Sequence, residues 1–262
     1  MELVISPKKI AKLIFWFIAG LTVASSGMKL ARHLIGDYPV GYRFLDVDSE
    51  QNIPTWYTSK LLLACAALLA LIALTKIRNR APYRYHWAFL AVIFAGLSLD
   101  EAIGLHEELI EPMQAAFNLS GIWYFGWVLP AIAGLVVLAF AYLKFFRDLP
   151  VRSRRLFFLA AGVYLGGALG MEMVNGSILS GSGGTVTSLY NAFTGLEEFL
   201  EMVGINIFVY ALLSYLVEAL SLKVFFEPER VDQYPQRSLV EADGLRPDPI
   251  VHPQPLQRPG GQ

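Results

Sequence analysis

Carboxylates crowd into three short runs of this chain: LSLDEAIGLHEELIEP, GMEMVNG and TGLEEFLEMVG. They hold Asp100, Glu101, Glu107, Glu172, Glu197, Glu198 and Glu201, with His106 as the one imidazole among them. Many oxygen donors beside a single histidine suit a hard or borderline divalent cation: Mg²⁺, Mn²⁺, Ca²⁺ or iron. The expected ligands are Asp100, Glu107, Glu172, Glu198 and Glu201. His106 and Glu101 are the expected catalytic pair, the first as general base or further ligand and the second orienting its neighbours. Carboxylate clusters inside membranes also hold and pass protons or cations, so coupled transport is the alternative class. A non-catalytic subunit that binds a partner through an acidic face is the third.

Other chemistries lack their residues. Cys65 is the only cysteine, which argues against structural zinc. No Glu-x-x-His pair supports a standard di-iron bundle. There is no G-x-S-x-G elbow, no P-loop and no dinucleotide fingerprint.

The elements that must position these acids follow from composition. Of 262 residues, 55% are hydrophobic and only 16% charged, with mean hydropathy +0.48. Soluble domains carry about 25% charged residues, so an ordinary globular enzyme is excluded. A formal net charge of −1 argues against a nucleic-acid partner. What remains is an all-α polytopic bundle whose partner is the lipid bilayer. A hydrocarbon core needs about 20 apolar residues per helix. Six stretches qualify: Ile10–Gly27, Trp56–Leu74, Trp87–Leu105, Ile122–Phe146, Leu156–Asn175 and Leu196–Leu222. The first follows Lys8 and Lys9 without a cleavage site and reads as an uncleaved anchor.

Orientation follows from Lys and Arg. Seventeen of the 21 lie in alternate connections and the two ends; only Lys29, Arg32, Arg43 and Lys60 lie on the other side. Both termini are therefore expected in the cytoplasm, and a bacterial inner membrane is the expected location. Thirteen of the 22 acids gather at the opposite, outer side. Residues 1–225 form the expected six-helix domain. Residues 226–262, rich in proline, form an expected disordered cytoplasmic tail.

Aromatic residues mark the span ends: Trp56, Tyr57, Trp123, Tyr124 and Trp127 outside, Tyr83, Tyr85 and Trp87 inside, all expected at headgroup level. The carboxylates themselves lie within the outer parts of spans. At a bilayer centre an Asp costs about 2.5–3.5 kcal/mol, so mutual burial, a cation or a wet cavity must compensate. Asp100, Glu101, Glu107 and Glu172 fall at span C-termini, where the helix dipole disfavours them. Glu197 is expected to complete a capping box with Thr194; Glu201, a turn deeper, is not covered by it. On one continuous helix Asp100, Gly104, Glu107 and Glu111 would share a stripe. Glu108 and Glu111 are assigned to the surface, and Glu218 to the inner interface. Gly162, Gly166 and Gly170 form an expected packing ridge. Asp46, Asp48, Glu50 and Asn52 in the first outer loop alternate oxygens as a hard-cation loop does, without the EF-hand glycine and distal glutamate.

The combination IPTWYTS, LSLDEAIGLHEEL, GGALGMEMVNG and LEEFLEMVG resembles a group of bacterial six-span proteins to which no activity is assigned. Asp48, Glu50, Asn52, Ser98 and Asp100 also resemble, faintly, the loop and span residues of the alkaline ceramidase superfamily. That superfamily uses three zinc-binding histidines. Here only His106 lies in a comparable zone, with His86 at an inner end and His33 in an outer loop, so the activity is not carried over. The resulting expectation is an outward-facing Asp/Glu/His site acting, with a divalent metal, on a lipid-soluble or membrane-proximal substrate.

Overall fold

The computed structural model describes residues 6–35, 44 and 52–218. The acidic loop of Asp46, Asp48 and Glu50, and the tail from 226 with His252, lie outside the described residues. Among those described, the chain is all helical. Its elements are α1 (Pro7–Ile35), α2 (Ile53–Arg78), α3 (Arg84–Ile103), the short α4 (Ile110–Phe117), α5 (Val128–Asp148), α6 (Val151–Gly181) and α7 (Ser188–Glu218). All but α4 are long and apolar enough to cross a membrane. The six expected spans thus correspond to six helices, each with somewhat different ends. Lys29, Arg32 and His33, expected in a loop, belong to the last turns of α1.

The chain alternates direction, so the bundle has two ends. One carries the α2–α3 turn and the α5–α6 junction; here it is the aromatic end. The other carries the C-terminus of α3 and the α6–α7 turn; here it is the acidic end. Helix α7 sits centrally against α1, α2 and α6. Most of its face is apolar and buried, including Met202, Ile205, Val209, Leu212 and Tyr215. Asn206 turns its amide from α7 onto the Ala11 carbonyl of α1 at 3.1 Å.

Helices α2 and α3 form the closest antiparallel pair. Asn52 caps α2 by accepting from the Thr55 N–H at 2.7 Å, the usual role of an N-cap asparagine. Within this pair Ser59 and Ser98 donate to each other's carbonyls, both at 2.8 Å. Small hydroxyl residues permit that close approach between spans. Ser98, part of the ceramidase-like set, is therefore an interhelical tie, and Asn52 a cap.

The aromatic end is densely packed. Trp87 is 1% exposed and meets Phe145, Phe157 and Tyr215 at ring-centroid distances of 5.0, 6.0 and 4.9 Å. Phe157 and Phe94 meet Phe208 at 5.0 and 4.8 Å, which carries the layer across α3, α6 and α7. Headgroup level is the expectation for Trp87; it is core, because rings from three other helices converge on it. At the rim Arg152 pairs with Glu218 and donates to Tyr210 at 2.8 Å, and Tyr83 donates to Asp148. Glu218 is exposed, as its interfacial assignment requires.

Helix α5 is the exception to close packing. It touches the rest through Tyr142 and Phe145 at the aromatic end, where Tyr142 donates to the His86 carbonyl at 2.8 Å. Toward its start it stands apart from α3, with no extended helix–helix contact among the described residues. Exposed Val136 and Phe140 cover its outer face.

Candidate functional site

The acidic end is shaped by two local departures from a regular helix. Helix α3 stops at Gly104, whose φ of 64° lies in the left-handed region. Glycine enters that region without a Cβ clash, and its N–H closes the helix on the Asp100 carbonyl at 2.7 Å. The chain then doubles back, so His106 returns to Asp100. The backbone N–H of His106 donates to Asp100 Oδ1 and its ring Nδ1 to Oδ2, both at 2.9 Å. A carboxylate only accepts, so Nδ1 carries the hydrogen, and Nε2 makes no hydrogen bond among the described residues. Asp100 thus sits at a helix C-terminus against the dipole, held there by two donors from beyond the break.

The shared stripe of Asp100, Gly104, Glu107 and Glu111 therefore does not exist. A contact six residues apart is impossible on a continuous helix and is made only by the turn at Gly104. Glu107 lies in a 3₁₀ turn, Glu107–Leu109. Glu108 and Glu111 are exposed, as assigned.

The second departure is in α6. Residues Gly166–Met171 form a π-helical segment, a widening often found at functional sites. Gly167 lies in it, and a Cβ there would be 2.9 Å from the Glu197 carbonyl and 3.0 Å from Glu201 Cγ. On α7, a Cβ on Gly204 would lie 2.5 Å from the Tyr164 nitrogen. The two helices thus interlock through one glycine each. The expected ridge of Gly162, Gly166 and Gly170 makes no such contact: the first two would meet nothing within 4 Å. Glycine spacing alone named the wrong face.

Glu172 follows the π segment, at the start of the last ten residues of a helix that runs on to Gly181. It is not a C-terminal residue, as its span limits had suggested. Its Oε1 accepts from Trp127 Nε1 at 3.0 Å, and the Trp127 ring lies 4.8 Å from the His106 ring. Trp127 accordingly points into the bundle and not to the headgroups. Glu197 accepts from Asn175 Nδ2 at 2.6 Å. The capping box is overturned: α7 begins at Ser188, and Thr194 donates to the Tyr190 carbonyl within it.

These groups surround one cavity of about 1150 Å³. Asp100, Glu101, His106, Glu107, Glu172, Glu198 and Glu201, the seven residues singled out by sequence, all line it, as does Glu197. Trp127, Tyr164 and Tyr190 line it as well. No Lys or Arg among the described residues does. Its other wall is apolar, running down between α3 and α5 along Phe89, Ile93, Leu97, Ala131, Leu135 and Leu138. Spacing offered no sign that Trp127 belongs here; only its place at the end of a tryptophan-rich turn could have hinted at it.

Electrostatics mark His106. Burial disfavours its charged form, but the Asp100 hydrogen bond and the charges of Asp100, Glu107 and Glu172 outweigh that and raise its pKa above the ordinary 6.5. The expected metal centre is another matter. Among the described residues no three His, Cys, Asp or Glu side chains are placed to hold one ion. The donors have the right chemistry for a hard cation but are spread around a wide cavity.

The chain belongs to a family defined by a domain of unknown function, DUF8692, whose profile matches residues 13–216. No curated protein and no solved structure matches it. Neither a bacterial source nor a ceramidase relation follows from that match.

Proposed function

We propose that this member of the DUF8692 family is a multi-pass protein of a bacterial inner membrane, with both termini in the cytoplasm. Its acidic cavity then opens on the outer side. We further propose that a lipid-soluble substrate enters it from the bilayer between α3 and α5 and exchanges a proton with His106. The observation that carries this reading is the two-part lining: an apolar wall continuous with the bilayer-facing helices, ending at a carboxylate-rich pocket.

The chemistry follows from the site. Asp100 fixes the imidazole of this cavity-lining histidine through Nδ1 and leaves Nε2 without a protein partner among the described residues, the arrangement by which a carboxylate orients a general acid–base. Trp127 packs against the ring and limits its rotation. The apolar wall would seat a hydrocarbon portion, contributing about 25 cal/mol per Å² removed from water. No step needs a metal, and none is assigned. Transport fares less well: toward the aromatic end the Phe94–Phe208–Phe157–Trp87 layer packs rings across α3, α6 and α7, an obstacle to ion passage.

Bilayer entry is testable with the full chain in nanodiscs containing phospholipids brominated along the acyl chain. The fluorescence component that disappears in Trp127→Phe should be quenched by bromine. A plug at the groove, Ala131→Phe, should relieve that quenching. Unquenched Trp127, in a sample where the exposed Trp16 is quenched, would overturn the bilayer route.

A further inference from the structure

We infer that the polar end of the ligand is a cation, so that the cavity is built for an amphiphilic amine; this rests on the lipid-soluble substrate proposed above. The argument starts from two side chains. Glu101 and Glu201 are half-buried, with neighbouring side chains packed closely around them, and both line the cavity, yet no hydrogen bond or ion pair among the described residues reaches either carboxyl. Buried polar groups in native proteins are ordinarily paired. Other acids here are: Asp100 by His106, Glu172 by Trp127 and Glu197 by Asn175. The two exceptions come from different helices, α3 and α7, and address the same space.

A group that satisfies both must donate hydrogen bonds and carry positive charge. The protein supplies no Lys or Arg to do it among the residues lining the cavity. An anionic head would meet seven carboxylate-bearing side chains, with the His106 imidazole, already held by Asp100, as the one group among the lining residues able to carry positive charge. A neutral alcohol could donate only one hydrogen bond, whereas a primary ammonium has three donors and could reach both acids. Trp127, Tyr164 and Tyr190 add aromatic faces, the surfaces that attract an ammonium in a desolvated site. Whether the amine arrives protonated or takes its proton from a carboxyl, the product is the same ammonium–carboxylate pair. The apolar wall along Ile93, Leu97 and Leu135 then accepts the alkyl portion.

Dodecylamine and dodecanol, which share the chain and differ in the head, test the inference by titration of the full chain in nanodiscs. The readout is the Trp127 component of fluorescence. Dodecylamine should bind tightly and dodecanol weakly. Glu201→Gln and Glu101→Gln should each weaken the amine by about thirtyfold or more, with Glu108→Gln, exposed and outside the cavity, as the unchanged control. If dodecanol binds as well as the amine and Ala131→Phe abolishes both, the cation inference fails while the lipid-soluble reading stands. If neither probe perturbs Trp127, both fail. Equal amine binding by wild type, Glu101→Gln and Glu201→Gln would also overturn the inference, and thermal unfolding of each variant shows that it is folded.

Discussion

The two ends of the bundle solve opposite problems with the same helices. At the aromatic end Trp87, Phe145, Phe157 and Tyr215 fill space with rings, and the charged groups there, Arg152 and Glu218, are exposed and paired. At the acidic end eight acidic or imidazole side chains line an open volume, two of them without partners. In hydrocarbon there is no hydrophobic force between helices, so association rests on close packing and interhelical hydrogen bonds. The aromatic end supplies the packing. The acidic end gives part of it up, keeping a cavity, and is held by the Gly167 and Gly204 notches, the Ser59–Ser98 tie and the Trp127–Glu172 and Asn175–Glu197 hydrogen bonds. One end holds the fold, and the other is held by it.

The largest expected effect tests that division directly. Trp87→Ala should destabilise the protein by about 3–5 kcal/mol, read by thermal or denaturant unfolding in detergent. A loss well under 1 kcal/mol would mean the aromatic layer is not what holds the helices. Next comes Gly204→Ala, whose methyl would be pushed into the Tyr164 backbone. Overpacking of this kind costs about 1–3 kcal/mol. Gly166→Ala in the same bundle meets nothing and should fall within about 0.5 kcal/mol of wild type. If the two alanines behave alike, α6 and α7 do not interlock where the geometry says.

Glu201→Gln should move stability the other way, upward by about 0.5–2 kcal/mol, as expected where a functional group is kept at the expense of stability. A clear loss would place Glu201 among the structural residues and erase the contrast between the ends. The last effect depends on pH. His106 has a raised pKa in the fold, so its protonated form contributes stability below the ordinary value near 6.5 and loses it as pH rises through the folded value. The stability gap between wild type and His106→Gln should therefore be widest in mild acid and narrow above neutrality. A gap that is flat with pH would mean that the Asp100 contact does not favour the imidazolium.

Composition settled the broad architecture because apolar runs near 20 residues admit few alternatives, and six such runs became six long helices. The same reasoning assigned Glu108 and Glu111 to the surface and marked seven residues that prove to line one cavity. Where spacing went astray, a regular helix had been assumed through an irregular stretch. The turn at Gly104 brought His106 to Asp100, and on α6 it is Gly167, within the π segment, that meets α7, while Gly162 and Gly166 of the expected ridge meet nothing. Trp87 and Trp127 share a residue type, yet one is core and the other lines the cavity, since each ring's surroundings come from helices distant in the chain. Periodicity reports the direction of a side chain from its own helix axis; it carries no information on which neighbour that direction meets. The chain alone determined that acids would be drawn into the end of an apolar bundle. Which of them pair, and which face the cavity without a protein partner, was decided by how α3, α6 and α7 come together.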